Sequence, residues 1–280
     1  MGQDITADHI AQFLESRDDF DLELFANREL KEHHWRALHG GTYIDPFTNK
    51  PRQFDLQAWS RFPLHCEIFL AVECKSLSTE NPLVVSRVPR EAIDSYHNIL
   101  RKTYRPAQGD SSTSVDKIDA GIMLYPEQKQ VGKSTTQIRW NDNSKKLVSS
   151  DSETYDKWSQ ALSSAADLLA TYAKKPHSSV EPTFVFVLPV LIVSDQSLWV
   201  VDYSDSGTRR APEQVDEATL FVDREVLIDG VYTKHSFRMS HLNIYTRTGF
   251  VDMLDNLANP SGLMFEKIFG TAIRRANKSG

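Results

Sequence analysis

A mixed α/β fold built on a mixed sheet is predicted by three features of this chain. Helical and extended patterns follow one another along all 280 residues with no internal repeat. Two apolar runs, Glu67-Ile68-Phe69-Leu70-Ala71-Val72 and Phe184 to Val193, have the length and β-branched content of buried strands. Between them, Glu153 to Lys174 places Tyr155, Trp158, Leu162, Ala165, Ala166, Leu169 and Tyr172 at helical spacing, which marks one buried face.

Taken in order, residues 4–17 read as a short amphipathic helix and 20–37 as a second. Residues 42–76 read as a hairpin followed by a strand, and Val84-Val85 as another short strand. Ala92, Ile93, Tyr96, Ile99 and Leu100 fall at helical spacing, so Arg90 to Tyr104 is expected to be a helix. Gln108 to Val115, with Gly109-Asp110-Ser111-Ser112-Thr113-Ser114 inside it, has loop composition. Gly121 to Tyr125 reads as a strand, Gln128 to Ser134 as a polar connection, and Asn141 to Ser152 as a second polar loop after Ile138-Arg139-Trp140. After the long helix, strands are expected near 183–193, 198–203, 219–229, 231–237 and 242–246. Ser194-Asp195-Gln196-Ser197 would turn the first two into a core hairpin, and Asp229-Gly230 is a strong hairpin signal. Helices from Gly249 to Asn256 and from Leu263 to Lys278 close the chain.

Composition is that of an ordinary globular protein, with 40% apolar and 25% charged residues. The longest apolar run, Phe184 to Val193, is about half the length a membrane helix needs, and Pro189 with its β-branched neighbours argues for a strand. The N-terminus lacks a basic segment followed by an apolar core, so no secretory signal is expected. The two cysteines, Cys66 and Cys74, lie in one extended segment where a disulfide is geometrically excluded, which suits a reducing cytoplasm. Net charge of −6 argues against a protein that coats DNA but not against one that cuts it. Candidate basic patches are Arg87, Arg90, Arg101, Lys102 and Arg105; Lys145-Lys146; Arg209-Arg210; and Arg274-Arg275 with Lys278. Each is equally consistent with solvated surface.

The most informative segment is Glu73-Cys74-Lys75, at the end of the first apolar run. Alternation puts Glu73 and Lys75 on one face with Phe69 and Ala71, and Ile68, Leu70, Val72 and Cys74 on the other. Asp55 stands 18 residues before Glu73, in Phe54-Asp55-Leu56-Gln57-Ala58. If its strand pairs beside the Glu73 strand, two carboxylates and an ammonium converge. Paired carboxylates need a proton or cation between them, and oxygen ligands that leave room for water and phosphate suit Mg²⁺. Those are the parts of metal-assisted phosphodiester hydrolysis.

In that order the stretch from Phe20 to Ser76 resembles the PD-(D/E)xK nuclease superfamily. The helix Asp21 to Leu30 is similar to its acid-bearing helix, Tyr43 to Asp55 to its first hairpin, and Val72-Glu73-Cys74-Lys75-Ser76 to its Glu-x-Lys strand. The resemblance implies a restriction-endonuclease-like α/β fold, a mixed central sheet flanked by helices. Residues 1–280 would form a single domain, and the strands and helices over 180–280 would extend the sheet. It implies that Asp55 and Glu73 bind Mg²⁺ or Mn²⁺, that Lys75 assists the water, and that Glu23 completes the site, with Glu29 a rival for that role. One departure is His33-His34-Trp35 in a turn where the family often has glycine. Lys157 and Gln160, on the long helix, would be placed to touch substrate. The expected partner is nucleic acid, DNA before RNA, with no membrane association; a homodimer is expected if double strands are cut, since substrate symmetry invites protein symmetry. The alternative is a non-catalytic interaction protein that keeps the fold.

Other motifs fall away. Gly132-Lys133-Ser134 has Glu127 where a phosphate loop needs its first glycine. His33, His34 and His39 form no zinc pattern, and no Gly-x-Ser-x-Gly elbow is present. Trp35, Trp59, Trp140, Trp158 and Trp199 are scattered and read as core residues.

Overall fold

The computed structural model describes residues 4–17, 19–63, 65–105, 109–119, 124–149, 152–179, 181–230 and 234–258. Helices α1 (Ala7–Arg17) and α2 (Asp19–Glu32) lead into strands β1 (Arg36–Ile44), β2 (Pro51–Phe62) and β3 (Cys66–Lys75). Next come β4 (Leu83–Pro89), a 3₁₀ turn at Ala92–Asp94, β5 (Tyr96–Arg105), β6 (Asp110–Asp119), β7 (Gln130–Asn141) and β8 (Lys146–Ser149). The long helix α3 (Ser152–Lys174) precedes β9 (Thr183–Val193), β10 (Leu198–Asp202), β11 (Glu213–Gln214), β12 (Glu217–Asp229), β13 (Lys234–Thr246) and α4 (Arg247–Ala258). The thirteen strands form one sheet whose main path is β1-β2-β3-β9-β13-β12-β7-β4-β10-β11. It is mixed: β1, β2 and β3 form an antiparallel meander, and β9 then joins β3 in parallel across ten residues.

Alternation along β3 and β9 divides the core. Ile68, Leu70, Val72 and Cys74 join Phe184, Phe186, Val190 and Ile192 on one face, under α2 (Leu22, Ala26, Leu30) and α4 (Phe250, Leu254). Phe69 and Ala71 join Val185 and Val187 on the other, under α3 (Leu162, Ala165, Ala166, Leu169). The two faces of β3 are thus the two faces that sequence alternation requires. The α3 stripe also follows expectation, except that Tyr155 at its start is exposed. Central β9 carries a proline because its second edge is not continuously paired. β5 occupies it at Thr183–Val185 and β13 at Val190–Val193, and Pro189 lies between those ladders, where a missing N–H is tolerated.

Helix α2 stops earlier than the expected residue 37. The N–H of Trp35 donates to the Leu30 carbonyl at 2.8 Å and that of His34 to the Lys31 carbonyl at 3.0 Å, with His34 at φ 63°. This is a Schellman stop, with Trp35 and Leu30 sharing the core contact that accompanies it. His34 therefore does the work of the glycine, at a conformational cost of about 1 kcal/mol.

Several expectations are corrected. Arg90 to Tyr104 is a 3₁₀ turn and strand β5, not a helix: Ile99 and Leu100, adjacent in sequence, enter opposite core faces. The supposed loop at 108–115 is largely β6, a polar edge strand paired with β5 along its length. The connection at 128–134 belongs to β7, and the second polar loop contains β8. β9 and β10 do not form a hairpin; after the Ser194–Ser197 turn, β10 runs parallel beside β4. β12 and β13 pair antiparallel up to Asp229↔Lys234, with residues 231–233 outside the described residues, and β13 is one continuous strand over Lys234–Thr246. Residues 121–123 and the Leu263–Lys278 segment lie outside the described residues. Trp35 is core, but Trp140 is 53% exposed, opposite Leu147 on the β7–β8 hairpin. Among the described residues no helix is long and apolar enough to cross a membrane.

Gly132-Lys133-Ser134 lies within β7. A side chain at Gly132 would meet Val85 Cγ1 at 2.5 Å and the Thr219 carbonyl oxygen at 2.9 Å. The glycine is there because β7 touches β4 and β12 at that point, which accounts for it without a phosphate.

Candidate active site

The site forms where β2 and β3 part. Their ladder runs from Phe62↔Cys66 to Leu56↔Val72, and Asp55 and Glu73 stand one step beyond it. There the side chain of Asp55 replaces the missing backbone partner: its Oδ2 accepts the Cys74 N–H at 2.8 Å. The carboxylate consequently lies at the point where the two strands part. Glu73 points to the α3 face, with the side-chain parity of Phe69 and Ala71.

From that face α3 delivers Lys157. Its Nζ donates to Asp55 Oδ2 at 2.9 Å and lies 3.7 Å from Glu73 Oε2, beyond hydrogen-bond length. Glu73 is 0% exposed, and neither of its oxygens makes a hydrogen bond of ordinary geometry, although Asp55 lies close enough to act on it through both its carboxyl and its backbone. Burial and then the neighbouring Asp55 charge hold its carboxyl well above the usual carboxylate range, with Lys157 opposing them. Lys157 is raised: burial lowers it, but Asp55 and Glu73 outweigh that.

Helix α2 approaches from the other face. Glu23 accepts a hydrogen bond from His39 Nε2 at 2.9 Å, taking that nitrogen as protonated, and Phe20 stacks on the same ring. Burial raises the Glu23 carboxyl, and both Asp55 and Lys157 act on it electrostatically. Glu29 instead binds Arg28 at 2.9 Å, nearer the far end of α2. Of the two helix acids, Glu23 is the one coupled to Asp55. The first residue of α2 also reaches the site: Asp19 Oδ1 accepts the Ser76 N–H at 2.6 Å, and Asp19 Oδ2 pairs with Lys75 Nζ at 3.6 Å.

Asp55 and Glu73 therefore converge, Glu23 stands on their other side, and Lys75 is ion-paired with Asp19. The lysine hydrogen-bonded to Asp55 is Lys157, 102 residues away in sequence. The sequence signals its helix and its face but not its reach. Gln160, the other α3 residue considered for substrate, has its backbone carbonyl near the Tyr43 hydroxyl at 3.4 Å.

Among the described residues, no group of three or more His, Cys, Asp or Glu side chains is arranged to hold a metal ion. The pair Asp55 and Glu73 nonetheless fits one of a particular kind. Mg²⁺ is commonly bound by one or two carboxylates while waters and substrate phosphates complete its shell. Two buried oxygens without partners on Glu73 are suitable ligands.

The basic patch around β4 and β5 is not a free cationic surface. Arg87 pairs with Asp202 at 2.7 Å and Arg101 with Asp116 at 3.1 Å. Arg90 is buried, and buried Lys102 donates to the carbonyls of Tyr172 and Lys175 at the end of α3. Lys145, Lys146, Arg209 and Arg210 are exposed. Arg274, Arg275 and Lys278 lie outside the described residues. Compared with protein-family models, curated proteins and solved structures, the chain matches none.

Proposed function

We propose that this α/β protein is a metal-dependent phosphodiester hydrolase of the PD-(D/E)xK type with a restriction-endonuclease-like core, acting on nucleic acid, DNA before RNA. The observation that carries the reading is Glu73: a fully buried carboxylate with both oxygens unpartnered, beside Asp55 at the point where two strands part. The order of elements supports it as well. An acid-bearing helix, a hairpin leading into Asp55 and a Glu-x-Lys strand follow one another as the resemblance implies.

Asp55 and Glu73 would hold Mg²⁺ or Mn²⁺, with Glu23 and its His39 partner beyond Asp55. A divalent ion held there supplies Lewis-acid polarisation of the phosphate and lowers the pKa of water. The protein contributes fixed negative charge in a site of restricted solvent access. Ammonium groups at Lys157 and Lys75 can donate to phosphate oxygens as charge develops there. Lys75 keeps its proposed role of assisting the attacking water, from its position beside Asp19. Cleavage of double strands would call for a two-fold dimer.

The test is cleavage of single- and double-stranded DNA and RNA with Mg²⁺ or Mn²⁺, beside Asp55→Asn and Glu73→Gln. Cleavage that requires metal and disappears in both variants is the expected result; cleavage that survives both would refute the site. One observation favours the second reading, a non-catalytic binding protein with this fold: an ammonium already neutralises part of the carboxylate pair. That reading predicts neither cleavage nor divalent-ion binding.

A further inference from the structure

We propose that Lys157 is an exchangeable counter-ion. Its ammonium holds the cation position of Asp55 and Glu73 in the metal-free protein, and it withdraws from Asp55 when a divalent cation binds. This rests on the metal reading above and adds how the site is kept ready. Two carboxylates brought together need positive charge. Lys157 supplies one charge at 2.9 Å from Asp55 but remains 3.7 Å from Glu73, whose two oxygens stay without hydrogen bonds. A single ammonium thus answers one carboxylate and leaves the other poorly served. A divalent ion held by Asp55 and Glu73 would supply the positive charge that one ammonium lacks.

The exchange has a route. The Lys157 side chain is 20% exposed, against 0% for Glu73, so the ammonium can move toward solvent on its flexible stem while the carboxylates stay fixed. Asp55 is anchored by the Cys74 N–H regardless of which cation it holds. The displaced ammonium is carried by a helix packed on the same face of β3 and would stay beside the carboxylates. Lys75 is not the competitor, because its ion pair is with Asp19.

The experiment is Mn²⁺ titration of the full chain, read by electron paramagnetic resonance of the free ion, for wild type, Lys157→Met and Lys75→Met. Removing the competing charge should tighten Mn²⁺ binding about tenfold in Lys157→Met, within the usual range of coupling between two ligands, while Lys75→Met stays near wild type. Mn²⁺ should also raise the melting temperature of Lys157→Met more than that of wild type. Because Lys157→Met can fail to fold, lysine acylation of the unmodified wild-type chain, read by mass spectrometry, gives an independent measure. Mg²⁺ should increase labelling of Lys157 and leave Lys75 unchanged. Equal or weaker Mn²⁺ binding by folded Lys157→Met, or Lys157 labelling indifferent to Mg²⁺ that is shown to bind, would overturn the exchange and leave the metal site standing. Absence of Mn²⁺ binding in all three proteins would overturn the metal site and the exchange together.

Discussion

Replacing Glu73 with methionine should make the metal-free protein more stable while abolishing metal binding. Glu73 has no access to water and no hydrogen bond to either oxygen. The attraction of Lys157, 3.7 Å away, acts on Glu73 only as far as its carboxyl is ionised. The repulsion from Asp55 outranks that attraction among the influences on the Glu73 carboxyl. Ionisation of Glu73 is therefore opposed by burial and by Asp55 together, and the cost counted here is that of burying acceptors without good partners, at about 1–3 kcal/mol for such a group. Methionine has similar length and no polar acceptor, and Asp55 keeps both Lys157 and the Cys74 N–H. The expected gain is about 1–3 kcal/mol, which at about 2–4 °C per kcal/mol is a rise in melting temperature of roughly 2–12 °C. The assay is guanidinium unfolding in EDTA at pH 7, repeated across pH. Since folding raises the Glu73 pKa, the folded wild type keeps a proton that the unfolded chain releases above about pH 4.5. This contribution to stability is full below that pH and is lost as pH rises toward the folded value; the Met variant should lack that decline. A Met variant less stable than wild type by more than about 1 kcal/mol would refute the reasoning, since Glu73 would then be a structural partner.

Three further outcomes follow. Burial pushes His97 down to about 4, so the folded protein resists a proton that the unfolded chain accepts below about pH 6.5. Stability should fall from there toward pH 4, and His97→Phe should remove about 3 kcal/mol of that loss in pH-dependent unfolding curves, unless the ring is already open to water. Gly132→Ala forces a methyl group against Val85 and the Thr219 carbonyl and should cost about 1–3 kcal/mol in the same unfolding assay; a neutral result would mean that the β4-β7-β12 junction yields easily. Trp140→Ser removes an exposed side chain and should change stability by no more than about 0.5 kcal/mol, whereas a large loss would show that the β7–β8 hairpin is anchored by that ring.

The parts of the site carried by local pattern were legible in the sequence. Alternation alone separated Glu73 from Cys74, whereas the meeting of Asp55 and Glu73 was expected only if their strands paired, as β2 and β3 do. Helix α3 and strand β9 were legible because each presents a long, consistent period. The helix expected at 90–104 failed because its apolar residues fit two periods: β5 buries Ile99 and Leu100 on opposite faces, and a strand against β9 satisfies both. β6 was missed because its polar residues resemble a loop, yet as an edge strand it needs little apolar surface, and Thr103 and Ser112 hydrogen-bond across it at 2.7 Å. Lys157 was legible as a candidate substrate contact on the long helix, but not as the partner of Asp55. Its distance from Asp55 is set by the packing of α3 on β3, which no local pattern encodes.

Buried polar atoms without partners occur elsewhere too, and the contrast shows why the strand junction is the better functional candidate. His97 and His241 are both buried with unpartnered ring nitrogens. Each lies against aromatic rings, His97 on Phe186 and His241 on Tyr125, and each is held far below its ordinary pKa. They are therefore neutral in ordinary buffers, and a neutral imidazole among rings behaves as one more flat packing element. Glu73 has no such escape. Its neighbours are a second carboxylate and an ammonium: ionised, it repels Asp55, and protonated, it stays a buried polar group beside an ion pair. An apolar side chain would continue β3 at lower cost, as Phe69 and Ala71 do on the same face. On the proposed reading an acid stands there to hold a cation with more positive charge than one lysine carries, and the Mn²⁺ titration is the measurement that decides whether such a cation binds.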